Sequence, residues 1–310
     1  MELRIIDKAY HYMTDKNYRF IVNARRGLYD SMPDREYLDR FFYARMGYHM
    51  DFKNPRTFNE KLQWLKLYDR DPLYTRLVDK YNVKEYVSQV IGKEYIIPTL
   101  GIWTKFDDID FDSLPEQFVL KCTHDSGGVI ICTNKADLDT ASARKRINRS
   151  MKRDYFLYAR EWPYKDVKHA IIAEKLIRDN AMPNDHILND YKLHCFYGKF
   201  DCTFVCEGRF SSRGVRYHYF DKDWNYLPYC PYDGLNIDEL NRLKPQNYGL
   251  MIALAEKLSA GIPEVRVDFY EVNGNILFGE MTFFSEMGFD TTITREADEI
   301  LGSKLILPKL

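Results

Sequence analysis

The stretch that most constrains the fold runs from Phe118 to Thr133 and reads FVLKCTHDSGGVIICT. Two apolar runs flank a short polar segment that contains Gly127 and Gly128, and this pattern predicts a β-hairpin with Lys121 near its base. Backbone N–H groups in a glycine-bearing tip can converge on an anion, and a neighbouring lysine adds a point charge suited to phosphate. The alternative is an ordinary hairpin whose glycines only form the turn. The choice between the two depends on residues further along the chain.

Composition and charge narrow the class of protein. The chain has 310 residues, 45% of them hydrophobic, which is enough for two or three subdomains around at least one large core. A formal net charge of −1 gives no overall attraction to nucleic acid or anionic lipid, so neither is an expected partner. No apolar run is long enough to span a membrane or to resemble a secretory signal, and we therefore expect a cytoplasmic protein. The six cysteines form no CxxC pair, which favours reduced thiols over a zinc site.

The first 97 residues are predicted to be mainly helical. Ser31 is a candidate N-cap with Pro33 in the first turn, and Thr57 with Glu60 forms the pattern of a capping box. A further helix is expected over residues 76–97. The Tyr- and Phe-rich faces of this region indicate a packed helical layer, although a stacking platform for a sugar acceptor is the functional alternative.

The remainder of the chain mixes strands and helices. Apolar or alternating runs predict strands at residues 170–177, 191–197 and 200–206. A basic helix is expected over residues 140–158, and we interpret its charges as a solvated face. Another helix is expected over residues 247–259.

Two carboxylates near the end of the chain form the second informative pattern. Residues 264–271 alternate strictly between apolar and polar, and a return strand follows the turn at Asn273-Gly274. A two-residue turn would send Glu280 to the opposite face from Asp268, whereas a three-residue loop would pair the two acids directly. Directly opposed carboxylates destabilise a sheet unless a cation lies between them, and Mg²⁺ is the natural cation for such oxygen ligands. A bland hairpin with separate acids remains the alternative.

Taken together, these segments resemble the ATP-grasp superfamily, and specifically its TupA-like branch linked to teichuronopeptide and capsular polysaccharide synthesis. The resemblance extends from about Arg26 to Phe289. It implies an α+β, ATP-grasp fold in which two α+β subdomains grip ATP, with an N-terminal helical region. The corresponding division is a helical region at 1–97, a small subdomain with the glycine hairpin at 98–173, and a C-terminal subdomain with the metal site at 174–310. The segments that carry the resemblance are PRTFNEKLQWLKLYDRD, DKYNVKEYV, FVLKCTHDSGGVIIC, AEKLI, DYKLHCFYGK and VRVDFYEVNGNILFGEMTFF.

The resemblance also implies roles for individual residues. Arg266 is similar to the arginine that stabilises charge on a transferred phosphoryl group, and Lys192 to a basic residue near the phosphates. Thr282 stands where the superfamily usually has an asparagine, which leaves the number of metal ions open. The expected nucleotide contacts are Lys80, Lys121, Ser126, Gly127, Gly128, Glu174, Lys175, Leu176 and Lys192, and the expected Mg²⁺ ligands are Asp268, Glu280 and Thr282.

The implied chemistry is ATP-dependent carboxylate–amine ligation through an acyl phosphate, with ATP and Mg²⁺ as cofactors. The implied partners are a small-molecule or glycan carboxylate and an amine donor. Positioning and charge stabilisation supply the catalysis, so the site needs no covalent nucleophile. Arg209, Arg213 and Arg216 are candidates for holding the acceptor carboxylate, with Arg209 preferred as a catalytic residue, although a solvated loop is the alternative.

Two other functions are consistent with parts of the sequence. A glycosyltransferase would use a DxD acid pair, and the pairs Asp221/Asp223 and Asp108/Asp110 have that spacing, although turn acids share it. A nucleotide-binding protein without turnover is favoured by Thr282. The identity of the acid, the amine, the glycan and the oligomeric state lies beyond the sequence.

Overall fold

The computed structural model describes residues 5–178, 188–207, 215–232 and 235–309. Chain contacts divide the protein into two compact units. The helical unit comprises Met1–Asp71, Asp154–Lys165 and Phe284–Leu310, and the sheet unit comprises Pro72–Arg153 and Asp166–Phe283. The division into regions 1–97, 98–173 and 174–310 stays a prediction. Within the described ranges, each helix is too short or too polar to cross a lipid bilayer.

The helices of the described chain alternate with strands after the first third of the sequence. The helices are α1 (Ile5–Thr14), α2 (Lys16–Arg25), α3 (Asp34–Met46), α4 (Phe58–Tyr68), α5 (Leu73–Val78), α6 (Val83–Val90), α7 (Thr140–Met151), α8 (Tyr155–Ala159), α9 (Ile237–Asn241), α10 (Tyr248–Leu258) and α11 (Arg295–Lys304). The strands are β1 (Thr99–Trp103), β2 (Phe118–Cys122), β3 (Val129–Cys132), β4 (Ile171–Lys175), β5 (Asp190–Phe196), β6 (Lys199–Glu207), β7 (Arg216–Phe220), β8 (Tyr226–Leu227), β9 (Val265–Val272) and β10 (Asn275–Thr282).

Local sequence signals set several boundaries of the helical unit. The side chain of Thr57 accepts a hydrogen bond from the Glu60 N–H, and Glu60 accepts from the Thr57 N–H, so the predicted capping box begins α4. Gly47 adopts a left-handed φ of 84° and ends α3. The predicted Ser31 N-cap is wrong, because α3 begins at Asp34 with Pro33 in the N-cap position and no side-chain cap.

Aromatic packing forms the core of the helical unit. Phe20, Tyr37, Phe41 and Phe42 are buried, and the Phe41 ring stacks on Phe289 with centroids 4.6 Å apart. These side chains belong to the Tyr- and Phe-rich helix faces noted in the sequence. Core packing therefore accounts for them, and the stacking-platform alternative does not apply to these side chains.

Two antiparallel sheets organise the sheet unit. The four-stranded sheet has the order β1-β4-β2-β3, and the six-stranded sheet has the order β10-β9-β5-β6-β7-β8. Helix α7 contacts β2 of the smaller sheet, and α10 contacts β5, β6 and β9 of the larger one. The combination of helices and antiparallel sheets confirms the predicted α+β class, and α1–α6 confirm the predicted N-terminal helical region.

The β9–β10 hairpin combines the two turn geometries that the sequence sets against each other. Asn273 and Gly274 both have left-handed φ values, 50° and 74°, so the two-residue turn forms. The prediction that such a turn separates the acids is wrong, because a β-bulge at Gly279 shifts the register and places Glu280 opposite Asp268. The extra residue of the bulge thus replaces the extra loop residue that we expected to be necessary.

Candidate active site

A polar face on the six-stranded sheet brings together most of the predicted catalytic residues. Because side chains alternate along a strand, Lys192 and His194 of β5 share one face, where they lie opposite Asp268 and Arg266 of β9. The pairing of β10 with β9 then places Glu280 opposite Asp268 and Thr282 opposite Arg266. Three neighbouring strands therefore contribute to one cluster.

Asp268 is the centre of this cluster. Its two oxygens accept from Nε and Nη2 of Arg266, each at 2.7 Å, and Lys192 donates to the same carboxylate. Burial alone would raise the pKa of the Asp268 carboxyl, but the charges of Arg266 and Lys192 lower it below its ordinary value. The acid is therefore ionised at neutral pH although only 1% of it is exposed. A second acid, Asp190, lies 2.6 Å from Lys192 Nζ.

The predicted metal ligands surround the Arg266 guanidinium. Its Nη2 donates to Thr282 Oγ1 at 3.1 Å and lies 3.7 Å from Glu280 Oε1. The Glu280 side chain is 43% exposed, so one acid of the pair opens to solvent whereas Asp268 is enclosed. Among the described residues, no three His, Cys, Asp or Glu side chains form a ready metal cage. Two carboxylates and a hydroxyl on adjacent strands fit Mg²⁺ that takes further oxygens from phosphates and water, which is its usual manner of binding.

Lys80 connects this cluster to the glycine hairpin. Its Nζ donates to the backbone carbonyl of Asp125 at 2.7 Å and lies 3.9 Å from Glu280 Oε2. In the hairpin tip, Ser126 and Gly127 are exposed, and Gly127 has a φ of 108° that favours glycine. A Cβ at Gly128 would lie 2.5 Å from Ser150 Oγ, so this second glycine allows the tip to pack against the end of α7.

Glu174, one of the expected nucleotide contacts, lies at the end of β4 and pairs with two lysines. The Glu174 carboxylate accepts from Lys121 Nζ at 2.6 Å through Oε2 and from Lys84 Nζ at 2.5 Å through Oε1. Burial would raise the pKa of this carboxyl, but the two ammonium groups lower it below its ordinary value. The side chain is thus directed at two lysines, while the neighbouring Lys175 and Leu176 line a cavity.

This cavity has a volume of about 590 Å³ and is bounded by residues of both sheets. Its walls are largely apolar, and several charged side chains also line it. This combination is typical of small-molecule binding sites. The apolar lining includes Ile97, Val119, Ile131, Leu176, Leu188 and Tyr270, and the charged lining includes Lys121, Arg146, Glu174, Lys175 and Asp190.

Sequence reasoning missed three polar residues of this region. Lys84 lies four positions after Lys80, and Asp190 lies two positions before Lys192, so both spacings are visible in the sequence. Arg146 belongs to the basic helix and is exposed, as expected of a solvated face, but it also contacts the hairpin tip. Its Nη2 donates to the Gly127 carbonyl at 3.0 Å, and its side chain lines the cavity.

The arginines proposed for the acceptor are only partly described. Arg209 and Arg213 lie outside the described residues. Arg216 begins β7, where its guanidinium lies 5.9 Å from the centroid of the Tyr232 ring.

Each of the two DxD pairs contributes an acid that accepts hydrogen bonds from the backbone of its own turn. Asp221 Oδ1 accepts from the backbone N–H groups of Asp223 and Asn225, at 2.9 and 2.8 Å. Asp110 Oδ1 likewise accepts from the Asp112 N–H at 3.1 Å. Both acids satisfy local backbone donors, as turn acids do.

Comparison with known proteins agrees with this architecture. The model of the family described as TupA-like ATPgrasp matches residues 60–306. No curated protein sequence matches the chain significantly.

Similar solved structures include three ligases or synthetases. A D-alanine–D-alanine ligase from Bacillus anthracis complexed with ATP is 15% identical, with 74% of this chain and 58% of that chain covered and a TM-score of 0.38. The present chain thus spans less than two thirds of that ligase. For the D-cycloserine synthetase DcsG the identity is 14%, the coverage 75% and 70%, and the TM-score 0.37. For the ATP-grasp ligase PsnB with minimal precursor, Mg and ADP, these values are 9%, 91% and 67%, and 0.36.

The family match covers far more than half of the sequence and includes every strand of the larger sheet. The antiparallel sheets and the lysine-, arginine- and acid-bearing strands lie within it. The predicted resemblance is confirmed, and the chain belongs to the TupA-like ATP-grasp family.

Proposed function

We propose that the protein is an ATP-dependent carboxylate–amine ligase that uses Mg²⁺ and proceeds through an acyl phosphate. One observation carries this proposal: the β9–β10 bulge sets Asp268 and Glu280 side by side next to Arg266, Lys192 and Lys80. ATP and Mg²⁺ are typical of the ATP-grasp fold, and the family match supports both as cofactors.

The proposed binding mode follows the polarity of the cavity. The adenine ring occupies the apolar cavity beside Lys175 and Leu176, and the triphosphate extends towards Lys121 and the glycine tip. Backbone N–H groups at Ser126, Gly127 and Gly128 can face the phosphates because two of these residues lack a Cβ. Lys80 and Lys192 add positive charge along the same path.

Asp268, Glu280 and Thr282 are the proposed ligands of Mg²⁺. When bound, the ion neutralises phosphate charge and fixes the orientation of the transferred group. Arg266 is proposed to stabilise the negative charge of the transferred phosphoryl group. Its guanidinium is oriented by two hydrogen bonds to Asp268 and lies beside Glu280.

The chemistry that these groups support is phosphoryl transfer followed by acyl transfer. A carboxylate oxygen attacks the γ-phosphorus of ATP, the bond from that phosphorus to the bridging oxygen of ADP breaks, and an acyl phosphate forms. An amine then attacks the acyl carbon, phosphate leaves, and the amine proton passes to phosphate or solvent. Neither step forms a bond to the protein, so positioning and charge stabilisation suffice.

The acceptor is proposed from the family relationship. We propose that an amino acid or amine is joined to a uronic acid or related carboxylate during capsular or cell-wall polysaccharide synthesis in the cytoplasm. Arg209 is the proposed partner of the acceptor carboxylate.

Ligand-dependent stability and product formation test this proposal together. With Mg²⁺ present, ATP should raise the melting temperature and UDP-sugars should not. A matrix of uronic acids and amino acids, assayed for ADP and phosphate, should contain pairs that release both. Stabilisation by UDP-sugars alone would favour a glycosyltransferase, and ATP binding without ADP from any pair would favour a nucleotide-binding protein without turnover.

Two substitutions test the site itself. Lys121→Ala should weaken ATP binding about 10- to 100-fold, because a charge-assisted contact to phosphate is lost. Asp268→Asn should abolish ADP formation. The control is Lys222→Ala, since that side chain is 74% exposed and pairs with Asp223 in its own turn. Unchanged ATP binding and turnover in the first two variants would show that the site lies elsewhere.

A further inference from the structure

Lys84 is a nearly enclosed lysine whose hydrogen-bonding capacity is fully used. Its Nζ donates to Glu174 Oε1 at 2.5 Å, to the Ile97 carbonyl at 2.8 Å and to Thr99 Oγ1 at 2.8 Å. An ammonium group has three N–H donors, so each has a partner. Helix α6 is thereby tied both to the chain entering β1 and to the end of β4.

Lys121 holds the other oxygen of the same carboxylate but is tied less firmly. Its Nζ lies 2.6 Å from Glu174 Oε2, the one hydrogen bond found for this ammonium group among the described residues. The Lys121 side chain is 24% exposed, compared with 14% for Lys84 and 6% for Glu174. Lys121 also lines the 590 Å³ cavity. Of the two cations, Lys121 is therefore the one that can exchange its partner.

We propose that Lys84 is a positioning residue that keeps Glu174 charge-balanced while Lys121 exchanges this carboxylate for a nucleotide phosphate. This inference rests on the proposed ATP site. Without nucleotide, Glu174 is shared between two ammonium groups. When Lys121 turns to a phosphate, the Lys84–Glu174 pair remains neutral, so no buried carboxylate is left uncompensated.

If Lys84 has this role, its loss should weaken the binding of ATP more than that of adenosine. A lysine that only supports the fold would affect both ligands equally. In Lys84→Met, Lys121 becomes the sole counter-charge of Glu174, and its transfer to phosphate leaves a buried anion behind. Binding of ATP should therefore weaken by at least about tenfold. Adenosine presents no phosphate to Lys121, so its affinity should change less than about twofold.

A second substitution should reverse the effect. In the double variant Lys84→Met/Glu174→Gln, both the cation and the anion are gone, and Lys121 is free to meet phosphate. ATP affinity should return to within about threefold of that of the unaltered protein. Lys84→Arg, which keeps the charge, should lie between the unaltered protein and Lys84→Met.

The experiment is a set of ATP and adenosine titrations, with Mg²⁺, of the full chain and the three variants, with circular dichroism to confirm folding. Equal weakening of ATP and adenosine in Lys84→Met, or no recovery in the double variant, would overturn the role of Lys84. If the unaltered protein fails to bind ATP, the proposed function fails with it. If it binds ATP and only the recovery is missing, the ligase proposal stands and the exchange does not.

Discussion

At the scale of single residues, Gly279 decides whether the two acids face each other. A Cβ at this position would lie 3.1 Å from the Asp268 carbonyl oxygen and 3.1 Å from Tyr270 Cε2, so the bulged strand has almost no room for a side chain. We expect Gly279→Ala to lower the free energy of unfolding by about 1–2 kcal/mol. It should also reduce the stabilisation by ATP and Mg²⁺, because the strand must shift beside Glu280. Chemical denaturation with and without nucleotide measures both effects.

Gly249→Ala is the matched control for this prediction. Gly249 is exposed in the first turn of α10, and a Cβ there would meet nothing within 4 Å. Alanine should raise stability by about 0.5–1 kcal/mol at this helical position and leave the response to nucleotide unchanged. A Gly279→Ala protein that behaved like Gly249→Ala would show that the bulge tolerates a side chain.

At the scale of elements, the β2–β3 hairpin requires glycine at two positions for two different reasons. Gly127 needs its left-handed φ of 108°, although a Cβ there would meet nothing within 4 Å. Gly128 instead needs space, since a Cβ would lie 2.5 Å from Ser150 Oγ and 2.8 Å from Ser150 Cβ. Alanine at either position should destabilise the protein by about 1–3 kcal/mol.

Ser150→Gly should recover stability in Gly128→Ala but not in Gly127→Ala, as thermal unfolding of the single and double variants can show. Equal recovery in both would mean that α7 does not set the shape of the tip.

Elements were predictable from sequence where their signals are local. The capping box at Thr57 and the Asn273-Gly274 turn depend on residues within a few positions of each other, and both appear where the sequence places them. The helix expected over residues 76–97 is instead divided into α5 and α6. Asp79 Oδ1 accepts from the Tyr81 and Asn82 N–H groups at 2.8 and 3.1 Å, a side-chain turn that competes with helical bonding.

The parts of the site that the sequence could not reveal depend on distant partners. The bulge at Gly279 is selected by packing against the neighbouring strand, and no local pattern distinguishes it from a regular hairpin. Lys84 and Glu174 are separated by 90 positions, and only the fold brings them together. Arg146 belongs to a run of similar cations, and only the position of the hairpin tip distinguishes it from its neighbours. A sequence shows which residues are charged, but only the folded structure shows which of them pair with each other.

At the scale of the whole molecule, the stability of the helical unit depends on a buried charged side chain, Lys66. Lys66 of α4 is fully buried in the helical unit, where its Nζ donates to Gln63 Oε1 at 3.0 Å, to the Ala159 carbonyl at 2.8 Å and to the Met287 carbonyl at 2.7 Å. Met287 has a φ of 58° and belongs to a left-handed segment. Lys66 thus forms hydrogen bonds to residues in all three chain segments of the helical unit. The stability of this unit should therefore depend on the protonation state of Lys66.

The pH dependence of unfolding should reveal this lysine. Burial lowers the pKa of Lys66 to about 7, although the nearby Glu161 raises it in part. Between that value and its ordinary pKa of 10.5, the unfolded chain binds a proton at Lys66 that the folded chain does not, so stability rises with pH. The difference in unfolding free energy between the unaltered protein and Lys66→Met should therefore increase by about 1–3 kcal/mol from pH 7 to pH 10. Lys53→Met, at an exposed lysine of the same unit, should show no such increase. A difference for Lys66→Met that stays flat with pH would mean that the ammonium stays charged in the folded protein, with its three acceptors compensating fully for burial.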